Sequence, residues 1–387
     1  MLALVALTSS LSAQDPALER GFDHFYNLEY EQALADFQQA EARDPNSPDV
    51  HNHISETLLF REMFRDGALE SELVSGNNSF LRRPKLNPSP EVERLFLNEI
   101  GQAIALSQAA LKKNASDMAA LYSLGVSYGF RANYYWVVKK AWRDSLSDAT
   151  AARRQHSRVS ELDPANVDAR LVLGLHDYIV GSLPLAWRML GFLAGIHGEK
   201  EKGIATIEEV ARAGKKNKTA AQIFLCALYR RENQPMRAIP LLQELMHQFP
   251  RNFLLRLELS QMYSLSGDKD HALAAVEELA REKNNHAPGM DRVPWEKIYY
   301  QEGTIQFWYR ELDRSLENFQ KVAASREELD LNTGALTYLR MGQIYDLINR
   351  RTDALQSYRK CITYAPDADA ARESRHYLST PYRRPAS

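Results

Sequence analysis

QALADFQQAEARDP, residues 32–45, carries Ala33, a large apolar residue four positions on (Phe37), a small one three further (Ala40) and a proline five after that (Pro45). Spacings of four and three place the first three side chains on one face of a helix, and the proline ends it. The order returns along the chain. Ala238/Leu242/Leu245/Pro250 and Ala354/Tyr358/Cys361/Pro366 keep all four places, and ALAAVEELAREKN (272–284) keeps the helical part. Ala152/His156/Val159/Pro164 puts a polar ring in second place. Self-similarity of this kind marks stacked units rather than one compact core.

Upstream of each quartet lies a second helical stretch centred on a small residue: LYSLGVSY (121–128), LVLGLHDY (171–178) and YLRMGQIY (338–345). The pair resembles the tetratricopeptide repeat, with its Leu-Gly-x-x-Tyr-like core in helix A and its Ala…Phe…Ala…Pro in helix B. Leu124, Gly125 and Tyr128 match that pattern, as do Met341, Gly342 and Tyr345. The resemblance covers the chain from about residue 14. It implies an all-α, right-handed superhelical solenoid of about eight helix pairs.

The register follows from one interval, small residue of helix A to small residue of helix B. It is 12 for Gly21–Ala33, Cys226–Ala238, Ser260–Ala272, Gly303–Ser315 and Gly342–Ala354. For Ser55–Ala103, Gly125–Ala152 and Gly174–Gly203 it is 48, 27 and 29. Three consecutive repeats therefore hold insertions at the same junction, which in a solenoid lies along one edge, so the insertions should converge into one helical subdomain. The division expected is repeat 1 over 14–46, repeats 2–4 with their insertions over 47–217, repeats 5–8 over 218–366, a capping helix over 367–379 and a disordered tail over 380–387.

The first insertion begins loop-like, with Pro84, Pro88 and Pro90, and turns helical near Glu91. The second, YGFRANYYWVVKKAWRD (128–144), interleaves six aromatics with basic residues; the spacing predicts Tyr134, Val138 and Trp142 buried on one face and the lysines in solvent, the alternative being a site for stacked bases or a lipid headgroup. The third, GSLPLAWRMLGFLAGIHG (181–198), is apolar all round, and its core of 13 residues falls short of the ~20 that span a bilayer.

In the repeat family helix A lines the concave face. Carried over, this gives Phe22, Phe25, Tyr26, Phe60, Tyr122, Phe130, Tyr178, Tyr300, Phe307 and Trp308 as a groove for a partner, alongside aliphatics such as Ile179 and Ile223. So large an apolar face calls for a cover. The expected cover is the third insertion, a lid formed by Leu183, Trp187, Met189, Leu190 and Phe192; a partner helix or a hydrophobic ligand is the alternative occupant. The order around Leu183, Pro184, Leu190, Gly191, Phe192, Gly198 and Gly203 also resembles the eukaryotic inclusion-body clearance and tetratricopeptide repeat 39 family over about 171–378, which implies a non-catalytic adaptor.

Lys plus Arg total 48 against 50 Asp plus Glu. That balance argues against nucleic acid as the main partner. MLALVALTSSLSA (1–13), seven apolar residues followed by small ones, reads as the later part of a secretory signal, although no Lys or Arg precedes it. The protein is expected in the periplasm or secreted, the alternative being the cytoplasm. Once the signal is removed, no transmembrane span is expected.

Phosphate loops, nucleophile elbows and metal-binding motifs are absent from the sequence. His51 and His53, two apart, fall on nearly opposite sides of a helix and make poor joint ligands. Cys226 and Cys361 occupy small-residue core positions three repeats apart, too far for a disulfide. The expectation is a scaffold with no catalytic residue, no cofactor and no metal, binding a protein partner through aromatic anchors. The second reading is a binder of a lipid or other hydrophobic ligand, or of a membrane surface, that uses the apolar 181–198 insertion as lid or anchor.

Overall fold

The computed structural model describes residues 15–69, 86–184, 188, 197–325 and 329–384. Among them stand seventeen α-helices: α1 Pro16–Tyr26, α2 Tyr30–Arg43, α3 Pro48–Arg65, α4 Pro90–Lys113, α5 Met118–Tyr134, α6 Trp142–Leu162, α7 Arg170–Gly181, α8 Lys200–Ala213, α9 Lys218–Arg231, α10 Pro235–Gln248, α11 Phe253–Leu265, α12 Lys269–Asn284, α13 Trp295–Trp308, α14 Leu312–Ala323, α15 Leu331–Leu347, α16 Arg351–Tyr364 and α17 Asp369–Ser379. Several start on side-chain caps. Asp15, Ser89, Asp117 and Asp268 each accept a hydrogen bond from an otherwise unpaired N–H of the first turn.

Pairing follows the register. A Cβ on Gly21 would stand 2.5 Å from the Phe37 ring, one on Gly342 2.4 Å from Tyr358, and one on Gly125 2.7 Å from His156. The small residue of helix A is thus the socket for the second residue of the quartet in helix B. The fold is a tetratricopeptide-type solenoid, each odd-numbered helix up to α15 packing against the even-numbered helix that follows it, with α17 covering the end.

The constant interval of 12 has a backbone cause. Seven residues after the small residue of helix A stand Leu28, Asn233, Gly267, Arg310 and Asn349, all with φ between 53° and 87°. At each, the following N–H reaches back to the helix end, as in Glu29 N to His24 O at 2.8 Å and Arg350 N to Tyr345 O at 2.7 Å. This is a Schellman closure, and it reverses the chain in three residues. Only one of the five is glycine, so the turn is held by packing against the cost of a left-handed side-chain residue.

The first two insertions do meet. Leu86 N donates to Val137 O at 3.0 Å, Phe96 stacks on Tyr134 with centroids 4.4 Å apart, and Lys139 pairs with Glu93. Trp142 departs from expectation. A π-turn over Tyr135–Lys139 and a left-handed Lys140 (φ 54°) break the helix, so Tyr134 and Val138 are buried while Trp142 opens α6 at 57% exposure. The third insertion is pinched at its base, where Gly181 abuts the Lys200 backbone. Of the expected lid, Leu183 is half-buried; Trp187, Met189, Leu190 and Phe192 lie outside the described residues, as do the signal-like residues 1–13.

The solenoid closes on itself. One apolar cluster joins Phe25, Ile54 and Ile100 of the first repeats to Phe253, Val276 and Ile298 of α11–α13. The tail also departs from expectation. Residues 380–384 are held against the array: Tyr382 N donates to Asp346 Oδ2 at 2.8 Å, and Arg384 donates to the Phe307 carbonyl with its guanidinium 5.0 Å from that ring. Asp346, Phe307 and the Tyr377 ring, which meets Tyr382 at 5.4 Å, together give a short polar tail a binding place.

Candidate interaction surface

Nine of the ten predicted groove aromatics are buried or half-buried, and Trp308 alone is exposed, at 51%. Phe22 stands edge-on to His53, centroids 4.7 Å apart, and Phe25 packs on Phe60 at 5.3 Å. Tyr26 meets Phe249 of a distant repeat at 4.9 Å; burial drives its phenol pKa up, with Glu56 and Tyr122 adding to the effect. Phe130 packs against the same cluster. Tyr178 donates to Glu232 at 2.9 Å, and Tyr300 packs on Phe319. Phe307, fully buried, is covered by Arg340 and Arg384.

The first repeat covers the part of this face around α11–α13. The Asn27–Glu29 turn inserts between the turns that begin α11 and precede α13. Arg251 forks onto Glu29 (3.0 and 2.9 Å) and reaches Asp23 at 2.5 Å. Its N–H donates to Asn27 Oδ1 at 2.9 Å, and Asn252 Nδ2 donates to Tyr26 O at 2.8 Å. Arg292 donates to Leu28 O and Asn27 O at 2.7 and 2.9 Å, satisfying the carbonyls that end α1. The hydrogen bond to Glu29 holds the Arg251 pKa above its ordinary value against burial, with Asp23 adding to it. Apart from Tyr26, none of these residues stood out in the sequence. They lie in or beside turns more than 220 positions apart.

Tyr122 is held differently. Its hydroxyl accepts from Asn217 Nδ2 at 2.7 Å, and its ring lies edge-on to His156 at 5.0 Å. Asn217 belongs to the basic run 214–218, whose backbone wraps one carboxylate: the N–H groups of Lys215, Lys216 and Asn217 donate to Asp168 Oδ1 at 3.0, 3.1 and 2.9 Å. The run is organised by Asp168, and Lys216 and Lys218 face Asp49 and Glu244 at its rim. His156 is fully buried, with no hydrogen-bond partner on either ring nitrogen among the described residues. Burial lowers its pKa to about 4. Cys226 and Cys361 are buried free thiols, and burial raises both pKa values.

His51 and His53 part company, as their spacing requires. His53 packs among Phe22 and Phe37, whereas His51 joins Glu41 and Glu99 between the first two repeats. Burial would lower the His51 pKa, but the hydrogen bonds to Glu99 and to the Pro45 carbonyl, with the charges of Glu99 and Glu41, raise it overall. The sequence holds no signal for this trio, because Glu99 lies beyond the first insertion.

Among the described residues no helix is long and apolar enough to cross a membrane. The outward-facing apolar side chains at predicted helix-A groove positions are Ile179 (40%), Ile223 (36%) and Trp308. A second exposed apolar pair, Trp142 and Leu146, lies one turn apart on α6 beside Lys139, Lys140 and Arg143.

No family model matches the chain, and no curated protein matches it. Solved structures of similar shape include human IFIT1 in its dimer with m7Gppp-AAAA, 16% identical over 95% of this chain and 86% of that one, with a TM-score of 0.48. Yeast Tom70 is 11% identical over 94% and 87%, with a TM-score of 0.40. A tetratricopeptide repeat protein from Parabacteroides merdae is 14% identical over 83% and 97%, with a TM-score of 0.33. At these values the likeness concerns the fold, and nothing about partners passes from those proteins to this one. The resemblance of 171–378 to the inclusion-body clearance family rests on its motif residues alone.

Proposed function

We propose that this helical repeat scaffold is a non-enzymatic adaptor that binds a protein partner, outside the cytoplasm, through the part of its helix-A face that self-closure leaves open. The observation that carries the reading is the contrast in exposure. Ile179, Ile223 and Trp308 stay in solvent while the other aromatics of the same helix-A series are spent on the protein's own core. Aromatic and aliphatic anchors of this kind supply most of the energy in a partner groove. The test compares wild type with an Ile179→Glu/Ile223→Glu/Trp308→Ala variant in affinity capture from envelope extracts, with circular-dichroism melting as the fold control. A partner held by wild type and released by the folded variant supports the reading. Equal recovery by both overturns it.

A second reading, hydrophobic-ligand or membrane-surface binding, is favoured by Trp142 and Leu146 beside Lys139, Lys140 and Arg143, an apolar and basic pairing that suits a lipid interface. It predicts acyl chains in lipid extracts of the purified protein and flotation with anionic vesicles that Trp142→Ser abolishes.

A further inference from the structure

His51 is oriented by a contact outside its own cluster. Nε2 lies 3.0 Å from the Pro45 carbonyl, which can only accept, so Nε2 carries a proton. Nδ1 then faces Glu99 Oε2 at 2.7 Å and Glu41 Oε1 at 3.5 Å. A neutral imidazole in this tautomer aims a lone pair at two carboxylates, and the trio needs a positive charge among its three acceptors. An imidazole whose far N–H is tied to a backbone carbonyl is the usual arrangement of a metal-ligating histidine.

We propose that Glu41, His51 and Glu99 form a binding site for one divalent first-row transition-metal ion, ligated by His51 Nδ1 and one oxygen of each carboxylate. The three ligand atoms lie within 4.8 Å of one another. Bonds of about 2.0–2.2 Å in tetrahedral array set ligand–ligand edges near ~3.4 Å, so side-chain adjustments of under about 1.5 Å close the site and no helix must move. Asn98 Nδ2 donates to Glu99 Oε1 at 3.2 Å and steadies the carboxylate from behind. His51 and Glu99 are buried, while Glu41, with 30% of its side chain exposed, stands at the mouth. That opening admits the ion and leaves room for water as a fourth ligand. Two carboxylates and a neutral ring carry a charge of −2, which a divalent ion balances; the imidazole favours Zn2+ and its neighbours over Ca2+ or Mg2+. With ligands from α2, α3 and α4, the ion joins repeat 1 to both helices of repeat 2, across the first insertion.

The probe is Zn2+, titrated calorimetrically into chelator-treated, dialysed full-length protein at neutral pH. The expected result is one saturable equivalent, a Zn2+-dependent rise in melting temperature, and a loss of affinity of about tenfold or more in Glu41→Gln. Glu41 is at the rim, so that variant keeps its fold even where His51→Gln does not. A folded His51→Gln loses the site altogether. Absence of saturable binding, or equal affinity in wild type and Glu41→Gln, overturns the proposal and leaves the trio a protonated ion-pair cluster.

Discussion

Repeats 1 and 3 use the same socket for opposite chemistries. In repeat 1 the ring of Phe37 sits on Gly21; in repeat 3 the ring of His156 sits on Gly125, at nearly the same approach. Both rings are buried. The phenyl ring contributes apolar area, whereas the imidazole brings two ring nitrogens with no hydrogen bonds among the described residues and stays neutral to well below ordinary pH. The shape of the slot is therefore set by the backbone register, and its energy by the occupant. The two repeats also differ in what faces them: repeat 1 is clasped by Arg251 and Arg292, repeat 3 by Asn217 through Tyr122.

The largest effect expected is on the apolar slot. Phe37→Ala removes a fully packed ring and leaves a cavity, costing about 3–5 kcal/mol in denaturant unfolding; a loss below about 1 kcal/mol would mean that the socket carries little of the fold. Next comes the polar slot. A His156 pKa of about 4 in the folded chain against 6.5 in the unfolded one means that the unfolded state takes up the proton first. Its contribution is complete above pH 6.5 and drains away as pH falls to 4, a difference of roughly 3 kcal/mol. His156→Phe should remove that part of the acid sensitivity, so unfolding curves of the two proteins should diverge between pH 6.5 and 4. Parallel curves would show that the imidazole is solvated.

Smaller effects are expected across the concave face. Arg251→Ala deletes the fork onto Glu29 and leaves that carboxylate half-buried, at a cost of about 2 kcal/mol. Its specific signature is a larger radius of gyration in small-angle scattering, because the contact closes the solenoid; an unchanged radius would show that the apolar cluster holds the closure without it. Asn217→Ala loses the hydrogen bonds to Tyr122 Oη and Asp168 O but keeps the backbone wrap around Asp168, so about 1 kcal/mol is expected and no change in radius.

Helix pairs, register and insertion points were legible because they repeat. Gly21, Ala33 and Phe37 have counterparts along the chain, and the constant interval of 12 has its cause in turns whose left-handed residues are Leu28, Asn233, Gly267, Arg310 and Asn349. Trp142 was misplaced because helical phase was carried across a π-turn, and a local break resets the phase. The tail at 380–384 read as disordered from its polarity, yet Asp346 and Phe307 give it a docking place. The expected cover of the groove is the 181–198 insertion, most of which lies outside the described residues. Around α11–α13 its cover comes from repeat 1 itself, through contacts made once and by turn residues.

By itself the sequence determined the unit: which residues are small, which are large, and how far apart they fall, since helix packing is periodic and writes itself into the chain. Only the tertiary structure decided how the array curls, which aromatics are consumed in closing it, and which distant side chains meet, as Arg251 meets Glu29 and His51 meets Glu99. Curvature accumulates from small rotations at every interface, and the contacts at its end depend on their sum. No single stretch of residues encodes that sum.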